Sequence, residues 1–293
     1  MDRRGIGWLG WIIALLIVSG AFWGTYFAVL APNLPAAYTP PIAEDGDFVE
    51  VDYRGWFPAT GRTFDTSIES VARDNASYPK AASFQYRTGG GYQPLSFILG
   101  CTGGSGCPIA GFGNAVLGLS VGETTVVYLP PEQAYGAADP SKIRIRPLLE
   151  KVPATETMNA SEFQEAFGMS PMDESVVTDQ VWGWNVTVHV TGAIVTVRHS
   201  PTVGQVVTVA RRWQAQVVGF DDKVNEGQGE IEVRHLLVPD DANAWVAQDR
   251  EGNFIVVAVD PVAETFTVDY NTEVIGKTLA FAITVTSLKK ASP

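Results

Sequence analysis

Residues 94–136 read PLSFILGCTGGSGCPIAGFGNAVLGLSVGETTVVYLPPEQAYG, and the pattern changes character three times within them. Residues 94–100 are a short apolar run closed by glycine, the form of a strand. In residues 111–119, Phe112, Ala115, Val116 and Leu119 recur at helical spacing and predict one short amphipathic helix. Residues 123–131 are a further strand that runs into Glu132-Gln-Ala-Tyr135-Gly136. Upstream, residues 46–57 (GDFVEVDYRGWF) alternate Phe48, Glu50 and Asp52 against Val49, Val51 and Tyr53, the period of a half-buried strand. Residues 61–67 (GRTFDTS) follow it after a turn.

Taken in order, VDYRG, RTFDTS, PLSFILG, PIAGFGNAVLGLSVGE and LPPEQAYG resemble the FKBP family of peptidyl-prolyl cis/trans isomerases. Five motifs in sequence over some ninety residues make the match specific. The resemblance implies an α+β fold, a strongly curved antiparallel sheet wrapped on a short helix, with an apolar pocket between them. It implies catalytic roles for Tyr53, Phe64, Asp65, Ile109 (through its backbone amide) and Tyr135, and places Leu95 and Phe112 in the pocket wall and floor. The family commonly carries Phe at the Leu95 position and Trp or an apolar side chain at the Phe112 position, so the resemblance implies a pocket that is shallower or differently selective. Asp65 is also readable as a strand-end cap. Polypeptides with X-Pro bonds, and macrolide FKBP ligands, are the implied partners. No cofactor or metal is implied.

The sheet is incomplete at Gly136. The family's last strand matches residues 278–288 (TLAFAITVTSL), with Phe281, Ile283 and Val285 on one face and Phe281 in the pocket. The preceding VDYNTEVIGKT resembles the return signature of SlyD-like members, with Thr272 and Glu273 replacing His and Pro. The isomerase domain is therefore expected as 46–136 plus 267–289. Residues 137–266 are expected as a β-rich inserted domain which, by the same resemblance, binds unfolded chains. A short helix with Ser161 as N-cap opens the insertion. The polar stretch 221–230 is a candidate boundary between two lobes, and an echo between 196–204 and 267–276 leaves duplication open. Trp182, Trp184, Val186, Val188 and Val190 read either as a sheet core or as a client-binding patch. His199 and His235 read as turn or surface residues.

Residues 5–30 contain no charge and are long enough to span a bilayer as a helix, while Arg3 and Arg4 place the short end in the cytoplasm. The expectation is a single-pass anchor over 1–30, a Pro-rich spacer over 31–45, an outward-facing main domain and a tail at 290–293. A cleaved signal peptide is the other reading, though its apolar region is normally shorter. Outside the cell, Cys101 and Cys107 would bridge across CTGGSGC; two buried thiols are the alternative. Asn75, Asn159 and Asn185 head glycosylation acceptor triplets, a pattern that also arises by chance.

Composition narrows the functional classes. Of 293 residues 46% are hydrophobic, which excludes a disordered chain, and the net charge of -12 argues against nucleic acid as a partner. Three scattered histidines and two cysteines make no recognised metal spacing. No Ser/His/Asp or Cys/His set stands out. Prolyl isomerisation needs none, because it breaks amide resonance and no bond.

Overall fold

The computed structural model describes residues 40–101 and 103–291. The expected anchor, most of the spacer and the last two residues of the tail lie outside the described residues. Among the described residues no helix is long and apolar enough to cross a membrane.

Strand β1 (Phe48–Trp56) alternates in burial as its sequence does, with Val49, Val51, Tyr53 and Gly55 inward. It is the centre of an antiparallel sheet. On one side it pairs with β2 (Thr63–Thr66) and β3 (Leu95–Ile98), and on the other with the chain's last strand, β17 (Leu279–Lys289), beyond which lies β4 (Thr124–Leu129). The register sets Tyr53 opposite Ile283 and Gly55 opposite Phe281. Helix α1 (Glu69–Arg73) follows β2, and α2 (Ala110–Asn114) packs against β1 and β17 through Phe112. The helix expected through Leu119 ends at Asn114. Gly111, Gly113 and Gly118 weaken helical propagation, and Gly118 takes a left-handed conformation. Val116 is nevertheless fully buried, in a turn. Cys101 and Cys107 are joined in a disulfide with Cα atoms 5.9 Å apart.

Between β4 and β17 the chain builds three further four-stranded antiparallel sheets. Three consecutive strands, β5 (Ile143–Pro147), β6 (Leu149–Pro153) and β7 (Thr155–Met158), each form one edge of a different sheet. After α3 (Ala160–Phe167), three meanders complete them in reverse order. β8 (Ser175–Thr178), β9 (Asn185–Thr191) and β10 (Ile194–His199) join β7. β11 (Val206–Val209), β12 (Trp213–Asp221) and β13 (Glu230–His235) join β6. β14 (Val246–Asp249), β15 (Gly252–Asp260) and β16 (Thr265–Asp269) join β5. The first strands share a similar run, Val176-Val-Thr178, Val206-Val-Thr208 and Val246-Ala-Gln248, and so do the ends of the third strands, Thr196-Val-Arg-His199, Glu232-Val-Arg-His235 and Thr267-Val-Asp269 with Tyr270 just past β16. The echo of two segments is thus part of a pattern of three.

All three sheets share one hydrophobic core, which includes Phe163, Trp184, Val188, Val197, Trp213, Val233, Phe254 and Phe266. A division into two lobes at 221–230 does not hold: this stretch joins β12 to β13 within one sheet, whose strands pair from Asp221↔Glu230 onward. The domain expected to resume at 267 does not do so there either, since Thr267, Val268 and Asp269 pair with β5 and β15. Asn159, not Ser161, caps α3: its Oδ1 accepts from the Ser161 and Glu162 amides while Glu162 returns a bond to the Asn159 amide. Of the acceptor triplets, Asn75 is exposed and accepts from the Tyr86 hydroxyl, whereas Asn185 is the exposed first residue of β9.

Trp182 and Trp184 are buried and stacked, so their alternation serves the core. His199 and His235 are buried as well, against the surface reading: an indole donates to the Nδ1 of each, Glu150 bonds His235 Nε2, and Glu156 stands opposite His199 Nε2, which has no hydrogen-bond partner among the described residues. Trp184 Nε1 donates to His199 Nδ1 at 2.8 Å and Trp213 Nε1 to His235 Nδ1 at 3.0 Å. The opposite nitrogens face Glu156 at 3.4 Å and Glu150 at 2.9 Å. Arg250 and Arg146 lie behind those carboxylates at 2.6 and 2.7 Å. Where the first hairpins of the three sheets converge beside α3, a crevice of about 670 Å³ opens between Phe167, Val181, Arg211 and Arg250.

Candidate active site

The first sheet carries its own aromatic cluster, built from both ends of the described chain. Phe281 on β17 lies edge-on to Phe64 of β2 (ring centroids 5.5 Å) and to Phe112 of α2 (5.2 Å). Tyr53 of β1 meets Phe112 edge-on at 5.6 Å. Each edge-to-face pair sets a positive ring edge against a negative face, which fixes orientation as well as excluding water. Gly55 makes this possible: a Cβ there would lie 2.6 Å from the Phe64 ring and 2.9 Å from that of Phe281. Leu95 and Ile109 pack against the same cluster, partly buried.

A polar network lies at the edge of this floor. The Tyr53 hydroxyl donates to Asp65 Oδ2 at 2.5 Å. Arg87 Nη2 donates to Asp65 Oδ1 at 2.6 Å and to the Tyr53 oxygen at 3.1 Å. Burial, and after it the Asp65 charge, raise the Tyr53 hydroxyl well above its ordinary range, so it remains a donor at neutral pH. The backbone of Tyr53 is fixed too: its amide donates to Ser67 Oγ and its carbonyl accepts from Thr66 Oγ1. Asp65 is therefore more than a strand-end cap. It receives the Thr66 amide at 2.8 Å and also organises Tyr53 and Arg87.

Tyr135 follows a 3-10 turn at Pro131–Gln133 and is half exposed; burial of the remainder and the Asp65 charge raise its hydroxyl. Ile109 stands immediately before α2. Among the described residues no protein acceptor takes its amide hydrogen. A cavity of about 330 Å³ lies behind Ile109, against Phe97, Pro108, Gly113 and the disulfide at Cys101, outside the aromatic floor.

Of the residues predicted for the site, Tyr53, Phe64, Phe112 and Phe281 thus share one set of ring contacts, Asp65 joins them through Tyr53, and Leu95, Ile109 and Tyr135 stand at the margin. Three contributors escaped the sequence reading. Gly55 had a signal, a small residue inside an alternating strand. Arg87 and Tyr92 had none: they belong to a polar, glycine-rich loop, and only folding brings the Tyr92 hydroxyl to the Arg87 amide at 3.0 Å.

Comparison with known proteins agrees with this geometry. Residues 40–150 match the family described as FKBP-type peptidyl-prolyl cis-trans isomerase. The chain is similar to a short-type peptidyl-prolyl cis-trans isomerase of Methanocaldococcus jannaschii, 34% identical over 128 residues that cover 44% of this chain and 68% of that protein. It is also similar to FK506-binding protein 2 of Candida glabrata, 32% identical over 108 residues, 37% of this chain and 61% of that protein.

Proposed function

The chain belongs to the FKBP-type peptidyl-prolyl cis/trans isomerase family, and from that premise we propose that it is a SlyD-like, membrane-tethered isomerase whose inserted sheets hold unfolded clients outside the cytoplasm. The observation that carries the catalytic part is the single ring cluster of Tyr53, Phe64, Phe112 and Phe281 with the Asp65–Arg87 network beside it.

Rotation about an X-Pro bond passes a barrier of about 18–20 kcal/mol because the twisted state loses amide resonance. The planar ground state is the more dipolar of the two, so an apolar floor disfavours it relative to the twisted state. The rings supply that floor. On this reading the Ile109 amide and the Tyr135 hydroxyl, at the margin of the floor, are the donors that hold the substrate carbonyls as the bond turns. Asp65 keeps Tyr53 oriented, and Arg87 keeps the buried end of that network neutral overall. No atom is transferred, and none of these residues needs to change protonation state.

The tether rests on the uncharged run 5–30 behind Arg3 and Arg4. Client holding rests on the position of the insertion, directly after the AYG turn, and on the return sequence at 268–278 that resembles SlyD-like proteins. Tethering would raise the local concentration of isomerase around chains emerging at the membrane.

The test uses three measurements. The purified chain should accelerate isomerisation of an X-Pro peptide, with Asp65→Ala reducing the rate. The same variant should still suppress aggregation of an unfolded client, since its insertion is intact. The full chain should sediment with membranes, and a chain lacking residues 1–41 should not. A wild-type chain that leaves aggregation unchanged removes the client role, and a full chain that stays soluble removes the tether.

A further inference from the structure

The segment that returns from the insertion touches both sides of the catalytic site. On one side, Gly276 donates its amide to Gly136 O at 2.9 Å, next to Tyr135. On the other, the Glu273 carboxylate accepts from the Ser83 amide at 2.7 Å and the Ala82 amide at 3.4 Å. Those two residues open the loop that delivers Arg87 to Asp65 and Tyr53. The loop is tied at its start by Ala81, whose amide donates to Thr63 O at 2.9 Å on β2, and near its end by Tyr92 on the Arg87 amide. Between these points the Tyr86 hydroxyl reaches Asn75 and the Phe84 and Tyr86 rings meet edge-on, but none of residues 82–91 is fully buried. The same return segment is clamped to the outgoing chain: Asn271 accepts from the Asp139 amide and donates to its carbonyl, both at 3.1 Å.

We propose that Glu273 is a positioning residue for isomerisation: by holding the Ala82 and Ser83 amides it places Arg87 on the Asp65–Tyr53 pair, and so makes catalytic geometry depend on the chain returning from the insertion. The carboxylate is suited to this because two amide hydrogens converge on one anionic acceptor, and a charge-assisted bond is stronger than a neutral one. Glu273 meets no substrate. It acts only through the loop and Arg87.

The test is a double-mutant cycle on the full chain with an X-Pro peptide, comparing wild type, Glu273→Ala, Arg87→Ala and the pair, with Glu273→Gln and Thr272→Ala alongside. Glu273→Ala should lower kcat on the order of tenfold, equivalent to about 1.4 kcal/mol, with little change in KM. Glu273→Gln, which keeps one acceptor oxygen, should recover part of the loss. Exposed Thr272→Ala should leave the rate unchanged. Glu273→Ala should cost nothing further once Arg87 is already alanine. Full activity in Glu273→Ala, or losses from the two substitutions that multiply, would overturn the proposal. If Glu273→Ala does not fold, Glu273→Gln carries the cycle, and full activity or multiplying losses there overturn it as well.

Discussion

The isomerase sheet and the three inserted sheets use the same antiparallel, alternating strands, yet they treat ionisable groups in opposite ways. In the isomerase part the charged cluster, Tyr53–Asp65–Arg87, sits at the margin of an aromatic floor, and the Asp65 and Arg87 side chains are partly open to solvent. In the insertion, His199 and His235 are sealed between an indole and a carboxylate, with an arginine behind. A site that must admit a peptide needs its polar groups within reach. A scaffold joining three sheets gains from polar groups that fit in only one arrangement, because a misplaced buried donor costs far more than a correct bond contributes.

The largest expected effect tests whether Phe281 belongs to both the core and the reaction. Phe281→Ala removes a ring that touches Phe64 and Phe112. It should cost about 3–5 kcal/mol of stability together with most of the kcat/KM, measured by denaturant unfolding and by the peptide assay. A stable variant with wild-type activity would place the floor elsewhere.

Next is the acid limb of the insertion. Burial works to raise Glu156, but His199 and Arg250 outweigh it and hold its carboxyl at about 2, against an ordinary 4.5. Glu150 is lowered in the same way by His235 and Arg146 despite its burial. A depressed carboxyl contributes stability that is present above the unfolded pKa and lost as pH falls through the folded one. The insertion should therefore lose stability between pH 4.5 and about 2, by up to about 3 kcal/mol from Glu156. Glu156→Gln should flatten that limb in a pH series of thermal melts. An unchanged slope would detach the carboxylate from the sealed cluster.

Reducing the Cys101–Cys107 bridge should cost about 2 kcal/mol in the chain-entropy account of so short a loop. The loss should appear in the isomerase part and leave the insertion's acid limb as it was. The smallest effect is that of Tyr135→Phe. Because Tyr135 is half exposed, the variant should keep wild-type stability and lose roughly tenfold in kcat, about the worth of one donor to the turning carbonyl. A variant that loses stability and keeps its rate would reverse the roles assigned to Tyr135 and Phe281.

Much of the isomerase part was legible because its residues declare themselves locally. The alternation of β1, the glycine-bounded apolar run of β3 and the apolar last strand each follow from period and composition. The insertion was read as β-rich for the same reason. Its sheet count was not, because three similar meanders give one continuous β-like signal and the polar 221–230 turn resembles a boundary. The histidines misled for a related reason: nothing near His199 or His235 in sequence announces the indole fifteen or more residues away that donates to its Nδ1. The sequence reading points to Ser161 as the cap, while Asn159, two residues earlier, is of an equally good capping type. Only the geometry of the Glu162 return bond separates them.

The sequence by itself determined the family, the strand and turn chemistry of residues 46–136, and the residue types that line the aromatic floor, since each depends on neighbours a few positions apart. Tertiary structure alone decided that Arg87 and Tyr92 reach the site, that Glu273 holds their loop, that the insertion is three sheets around one core, and that two histidines lie inside it. These arrangements join residues tens to almost two hundred positions apart. Their partners are chosen by packing and by the need to satisfy buried polar groups, which no local pattern records.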